Sequence, residues 1–163
     1  MVMKIVIGSD HAGFELKEDL RVYLAERNVE VVDLGAPGKD PVDYPDVGRA
    51  VAERVSKGEF QRGVLICGSG IGMSIVANRF AGVRAALCHD VYTARLSREH
   101  NDSNLLVLAG YLTAKGLARE ILKVWLEAGF QGGRHQRRLE KIKAMDEEIG
   151  QCRGKKPTRP ESG

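Results

Sequence analysis

Five short apolar runs, each followed by a stretch with helical periodicity, constrain this chain most. The runs are Lys4–Ser9, Val29–Leu34, Gly63–Cys67, Val83–Cys88 and Asn104–Ala109. Two of them, Val64-Leu65-Ile66-Cys67 and Leu105-Leu106-Val107-Leu108, are apolar without alternation. Such runs suit a parallel sheet covered by helices on both faces. Leu16, Leu20 and Leu24, with Phe14 and Tyr23 nearby, give a first helix from Phe14 one buried side. Further helices are predicted from Asp46, read as an N-cap, to Lys57, from about Met73 to Phe80, and over Val91–Glu99. Another spans Thr113–Ala128, with Leu117, Ile121, Leu122, Val124 and Trp125 on its inner side. Gly129–Gly133 breaks that helix before a charged last one, Arg134–Ile149, striped by Leu139, Ile142, Met145 and Ile149. Strands alternating with helices imply right-handed βαβ units. The expected fold is a three-layer α/β/α, Rossmann-like sandwich around a five-stranded parallel sheet.

The 163 residues fit one domain with a sizeable core. That domain is read as residues 1–149, with a polar tail over 150–163 expected to be disordered. The last thirteen residues carry Arg153, Lys155, Lys156 and Arg159 against Glu161, which accounts for the whole net charge of +3. The body is formally neutral, so no nucleic-acid footprint is expected. No apolar run approaches the ~18 residues of a membrane span, and the N-terminus reads as a strand rather than a signal peptide. A cytoplasmic location is the default. Cys67, Cys88 and Cys152 are odd in number and form no C-x-x-C, so neither a disulfide framework nor a zinc site is indicated. His11, His89, His100 and His135 show no metal-binding spacing.

Open parallel sheets bind ligands outside the C-terminal ends of their strands. Ser9-Asp10-His11, Cys67–Gly72 and His89-Asp90 should therefore share one edge. Cys67-Gly68-Ser69-Gly70-Ile71-Gly72 places glycine at every second position. Met73 stands where a dinucleotide fingerprint needs its third glycine, and where a cysteine phosphatase needs its arginine. No Gly-Lys-Ser/Thr follows, so a Walker loop is excluded too. What remains is either a tight turn needing glycine, or a set of outward N–H groups suited to an anion or oxyanion. Cys67 is either a small buried hydrophobe or a thiolate made available at a helix N-terminus. Cys88, without such a turn behind it, reads as structural. Asp10 could cap the first helix or serve the site together with His11. His100 ends a helix, where it could complement the dipole or act as an acid–base given a partner. Arg134 and Arg138 are i, i+4 and share a face, suited to a phosphate or to solvent.

Several separated blocks together resemble the ribose-5-phosphate isomerase B / galactose-6-phosphate isomerase family. They are Gly8-Ser9-Asp10-His11-Ala12-Gly13-Phe14, Asp43-Tyr44-Pro45, Ile66-Cys67-Gly68-Ser69-Gly70-Ile71-Gly72, Ala77-Asn78-Arg79, Leu96-Ser97-Arg98-Glu99-His100-Asn101-Asp102 and Gly132-Gly133-Arg134-His135-Gln136. The resemblance runs from about Lys4 to Ile149. It implies an aldose–ketose isomerase of the pentose phosphate pathway, interconverting ribose 5-phosphate and ribulose 5-phosphate without metal or organic cofactor. It further implies a homodimer, or a dimer of dimers, with active sites shared between subunits and the C-terminal helix packed on a partner. By position, Cys67 resembles the base that carries the proton between C2 and C1. Ser69 and the N–H groups of Gly68, Gly70 and Gly72 resemble the enediolate-stabilising element. His100, helped by Asp10, resembles the group that opens the furanose ring, and Asn101 a sugar-hydroxyl or enediolate contact. His11, Arg134 and Arg138 resemble the phosphate clamp, and Tyr44 a substrate contact. Some relatives use a Glu at the position of Met73, and many carry an Arg at that of Tyr111. The latter departure leaves a hexose 6-phosphate, allose or galactose 6-phosphate, as a second expectation.

Overall fold

A computed structural model describes residues 3–154. Among the described residues five strands form one sheet: β1 (Lys4–Ser9), β2 (Glu30–Asp33), β3 (Arg62–Cys67), β4 (Ala85–Leu87) and β5 (Leu105–Ala109). The helices are α1 (Phe14–Ala25), α2 (Tyr44–Ser56), α3 (Ile71–Ala77), α4 (Val91–Glu99), α5 (Lys115–Glu127) and α6 (Arg134–Gly154). Every strand pair is parallel, in the order β2-β1-β3-β5-β4. The expected three-layer α/β/α fold is therefore present. No described helix is long and apolar enough to cross a membrane.

Successive strand residues point to opposite sides and feed two separate cores. Ile5, Ile7, Val64, Ile66, Leu106 and Leu108 pack with side chains of α1, α4 and α5. Val6, Leu65, Cys67, Leu105 and Val107 pack with α2 and α3. This double cover is why β3 and β5 read as unbroken apolar runs. Each buried Leu or Ile contributes about 1.5–3 kcal/mol, so the strand ends are carried on a rigid frame. From β1 the chain first turns to β2 on one side, then returns to β3 on the other. By the rule for open parallel sheets, that reversal puts the ligand crevice at the C-terminal ends of β1 and β3. The register, Ser9 opposite Ile66 and Cys67 opposite Ala109, brings Asp10, Cys67 and Gly110 to the same edge.

Several boundaries differ from the sequence reading. Helix α2 starts at Tyr44 with Asp43 at the cap position, because Pro45 is already set for the first turn. Asp46 lies inside that turn, where its charge complements the dipole rather than capping the helix. Helix α3 starts two residues early, at Ile71, and β4 shrinks to three residues on the sheet edge. On α5 the buried stripe is Ala118, Ile121, Leu122 and Trp125, the i, i+3, i+4, i+7 set. Leu117 is exposed and Val124 half-buried. Helix α6 continues through Gly150 to Gly154, past the end expected at Ile149. Propagating a helix needs only one further hydrogen bond per residue, and Gln151 and Arg153 are good formers. Residues 155–163, the remainder of the expected disordered tail, lie outside the described residues.

Candidate active site

The C-terminal edge is built around the end of β3. The Cys67 carbonyl accepts the Gly110 N–H at 2.8 Å, and the Gly68 carbonyl accepts the Tyr111 N–H at 3.0 Å. On the other side the Asp10 N–H donates to the Ile66 carbonyl at 3.3 Å. Three turns, after β1, β3 and β5, are thus tied together by their main chains. Cys67 is 4% exposed and packs into the α2/α3 core. Gly70 sits at φ +76°, where a Cβ would lie 2.4 Å from Leu87 Cδ1 and 3.1 Å from the Leu108 carbonyl oxygen. Glycine is required there by both conformation and space. Among the described residues, the amides of Gly68, Ser69, Gly70, Gly72 and Met73 donate to no carbonyl or side chain. The Ser69 hydroxyl accepts a 3.3 Å bond from the Ile71 N–H. Beside a thiol, these free donors can stabilise negative charge developing on a carbonyl oxygen.

Two tyrosines close on the turn from either end. The Tyr111 ring lies against Gly68, where a Cβ would sit 2.6 Å from it, and the Tyr44 ring lies against Gly72 at 2.5 Å. Tyr111 is 75% exposed and brings no charge to the edge. Met73 is wholly buried, its sulfur against Gly48, so it faces the core and not the crevice.

Asp10 is buried and its Oδ1 accepts the Gly13 N–H at 3.0 Å. It therefore shapes the entry to α1 while standing beside the crevice. His11 Nδ1 accepts the Val42 N–H at 3.3 Å, which leaves Nε2 as the protonated nitrogen of the neutral ring. That ring can donate to an anion. His89 and Asp90 follow β4 at the same edge, but Asp90 caps α4 through the Thr93 N–H at 2.7 Å. Cys88 is buried, and burial pushes its thiol up to about 11. It stays protonated at neutral pH, in keeping with a structural part.

The other expected site residues lie at the opposite edge. Helix α4 begins past the C-terminal end of β4 and runs back, so its last turn precedes the start of β5. The Asn101 carbonyl accepts Arg84 Nε at 3.1 Å, immediately before β4. The His100 ring stacks on His135, centroids 4.1 Å apart and planes 7° from parallel. Gln131 joins this edge to α4, its N–H donating to the Glu99 carbonyl at 3.0 Å. Gly132 and Gly133, at φ +66° and +56°, then turn the chain into α6. Arg134 and Arg138 are exposed at the start of that helix. Arg134 Nε approaches His135 Nε2 at 3.4 Å. Burial, then the positive surroundings of His100, Arg134 and Arg138, holds His135 below the ordinary imidazole value.

One chain therefore unites Asp10, His11, Tyr44 and Cys67–Gly72, and separately unites His100, Asn101 and Arg134, with Arg138 one turn further along α6. It does not bring His100 to Asp10: the length of the sheet, roughly 15–20 Å for a six-residue strand, stands between them. His135 carries no role in the sequence reading, where it is one letter in a basic run. The signal was the Gly132-Gly133 pair, which places it on the first turn of α6.

A profile of the ribose/galactose isomerase family matches residues 5–142. The chain is 46% identical over 144 residues to ribose-5-phosphate isomerase B of Escherichia coli, covering 88% of this chain and 97% of that one. It is 41% identical to the D-erythrulose-4-phosphate isomerase of Pectobacterium atrosepticum, covering 86% and 93%. The solved ribose-5-phosphate isomerase B of Clostridium thermocellum superposes with a TM-score of 0.88 at 50% identity, over 90% of this chain and 99% of that one. The chain belongs to the ribose/galactose isomerase family of sugar-phosphate isomerases.

Proposed function

We propose that this enzyme interconverts ribose 5-phosphate and ribulose 5-phosphate, with Cys67 as the base. The observation that carries the reading is a thiol closing β3 directly before a turn of unpaired N–H groups. The Cys67 thiolate removes the C2 proton of the open-chain aldose. The charge that develops on O1 falls on the turn amides and Ser69, the O2 hydroxyl passes its proton to O1, and the same thiol returns the carbon-bound proton to C1 as the carbonyl forms at C2. His11 donates from Nε2 to the phosphate. Phosphate contacts remote from C1 and C2 hold the reacting carbons in register.

The second half of the site is supplied by another copy of the chain. His100 opens the furanose ring, Asn101 contacts a sugar oxygen, and Arg134 and Arg138 clamp the phosphate. Two observations support this division. Each chain carries the two groups of residues on opposite sheet edges. In addition, α6 leaves Ile142, Met145 and Ile149 exposed along one stripe, which a partner subunit covers. A cleft of about 570 Å³ lies between α6 and the Ala81–Arg84 segment and is open to such a partner.

Turnover of ribose 5-phosphate tests the chemistry. Cys67→Ala should lower kcat by about 10²–10⁴-fold, the range for losing a positioned acid–base. Full activity of that variant would sink the mechanism. A second reading keeps the chemistry and changes the sugar. Uncharged Tyr111 seated on Gly68 favours it, as do the family's inclusion of galactose isomerases and the relative named as a D-erythrulose-4-phosphate isomerase. A kcat/KM panel over tetrose, pentose and hexose phosphates decides between them, and a clear preference for ribose 5-phosphate removes the second.

A further inference from the structure

The turn that carries His100 and Asn101 is held by an arrangement larger than a helix end requires. Asp102 follows them at φ +44°, a left-handed conformation that an Asp adopts as a single residue when its carboxylate is held locally. Its carboxylate is gripped by two arginines from different parts of the chain. Arg98, on the last turn of α4, forms an ion pair with Nη1 2.8 Å from Oδ1, and Arg84, before β4, donates Nη2 to Oδ2 at 2.9 Å. Arg84 Nε also reaches the carbonyls of Asn101, at 3.1 Å, and Asp102, at 2.9 Å. Arg98 is buried with its guanidinium over Trp125, and it donates a further bond to the Ser103 carbonyl. Ser103 is itself fixed by Trp125 Nε1 at 2.7 Å and by Ser97 Oγ at 2.9 Å.

We propose that Arg84 and Arg98, through their grip on Asp102, are positioning residues that aim His100 and Asn101 for opening the substrate ring. The grip falls on main-chain carbonyls and on Asp102, and leaves the Asn101 side chain free and exposed. Ring opening breaks the C1–O4 bond. The proton on O1 leaves, O4 takes up a proton, and the aldehyde forms. An imidazole can serve that exchange only if its nitrogen reaches those oxygens, and a misplacement near 1 Å costs on the order of a hundredfold. Arg84 binds the turn from outside α4, so it sets the angle at which the turn leaves the helix.

The proposal rests on the ribose 5-phosphate reading, and the test separates the two. Ribulose 5-phosphate has its carbonyl at C2 and its O5 esterified, so it closes no furanose ring. Exchange of its C1 hydrogen in heavy water, followed by proton NMR, therefore reads proton transfer without ring opening. Net conversion of ribose 5-phosphate reads both. For Arg84→Gln we expect conversion to fall about tenfold or more while exchange stays within about twofold, a split that general loss of the site does not give. Arg84→Lys, which keeps the charge and can make one of the three bonds, should fall between. Asp102→Asn should repeat the split and serves if Arg84→Gln fails to fold in thermal unfolding. Equal loss of both readouts, or loss of neither, in the folded variants overturns the positioning role. Wild type without conversion of ribose 5-phosphate, or a His100→Ala variant that loses both readouts equally, overturns the underlying reading and the positioning role with it.

Discussion

The two edges of the sheet hold their functional groups by different means. At the C-terminal edge the fixed elements are main-chain atoms: carbonyls of Ile66, Cys67 and Gly68 tie three turns together, and the free donors are amides. Glycines at 68, 70 and 72 are packed so closely by Tyr111, Leu87 and Tyr44 that a Cβ would lie within 2.6 Å of a neighbour. At the opposite edge the fixed elements are side chains, with two stacked imidazoles, an Asp102 between two arginines, and the guanidinium of Arg134. A main-chain frame suits the step in which charge appears on the substrate, because its dipoles need no reorganisation. A charged side-chain frame suits an anionic group that is present from the start. On the proposed function, the difference teaches that neither edge is a site by itself. In a single chain the residues proposed for proton transfer and those proposed for anchoring face away from each other.

The sharpest way to break that division is to cripple the two halves in separate chains. The Cys67→Ala and His100→Ala variants should each be nearly inactive. Dissociated, mixed and re-associated, they should recover about a quarter of wild-type turnover, since random pairing puts one intact composite site in half of the dimers. No recovery on mixing, with re-association verified by mass, would mean that each chain works alone. A smaller effect separates main-chain from side-chain framing. Gly70→Ala puts a Cβ at φ +76° against Leu87 and the Leu108 carbonyl, and should cost about 1–3 kcal/mol of stability. Denaturant unfolding reads it. An unchanged midpoint would show that the turn can relax and that its glycine is not structural.

Strand positions were legible because β3 and β5 are apolar on both faces, and that signal is local. The shared edge of Asp10, His11 and Cys67 followed from the general rule for parallel sheets. The strand order was less accessible. Nothing in the letters of Ala85-Ala86-Leu87 says that this segment crosses to the sheet edge and leaves its inner place to β5. The misplacing of Leu117 and Val124 on an otherwise buried stripe of α5 has a similar cause, because Leu117 is as apolar as Ile121 and only the packing partners α1 and α4 choose between them. Asp46 suits a cap by its letter, but the helix already starts at Tyr44, with Pro45 in its first turn. At the site, Arg84 was invisible. It stands before a strand with no motif around it, and its partner Asp102 lies eighteen residues further on. Side-chain frames assembled from distant segments leave no spacing to read, whereas a main-chain frame leaves its glycines.

The smallest predicted effect concerns His135, which belongs to the side-chain frame. It is 5% exposed, stacked on His100, and flanked by Arg134 and Arg138. Arg134 Nε donates toward its Nε2, so that nitrogen is bare and the ring neutral. Burial and the cationic neighbours lower its folded-state pKa beneath the ordinary value of about 6.5. Above that value neither folded nor unfolded protein holds the proton, and His135 contributes no pH dependence. As pH falls below it, the unfolded chain takes the proton first, so stability declines until the lowered folded-state value is reached. His135→Asn should therefore flatten the stability profile on the acid side of neutrality while leaving it unaltered above. Inorganic phosphate bound between Arg134 and Arg138 would offset the positive surroundings and flatten the wild-type profile in the same direction. Denaturant midpoints from pH 5 to 7.5, with and without phosphate, measure both. Wild type and variant profiles that run parallel on the acid side would show that the imidazole stack is open to water and that this edge is framed no more rigidly than an ordinary surface.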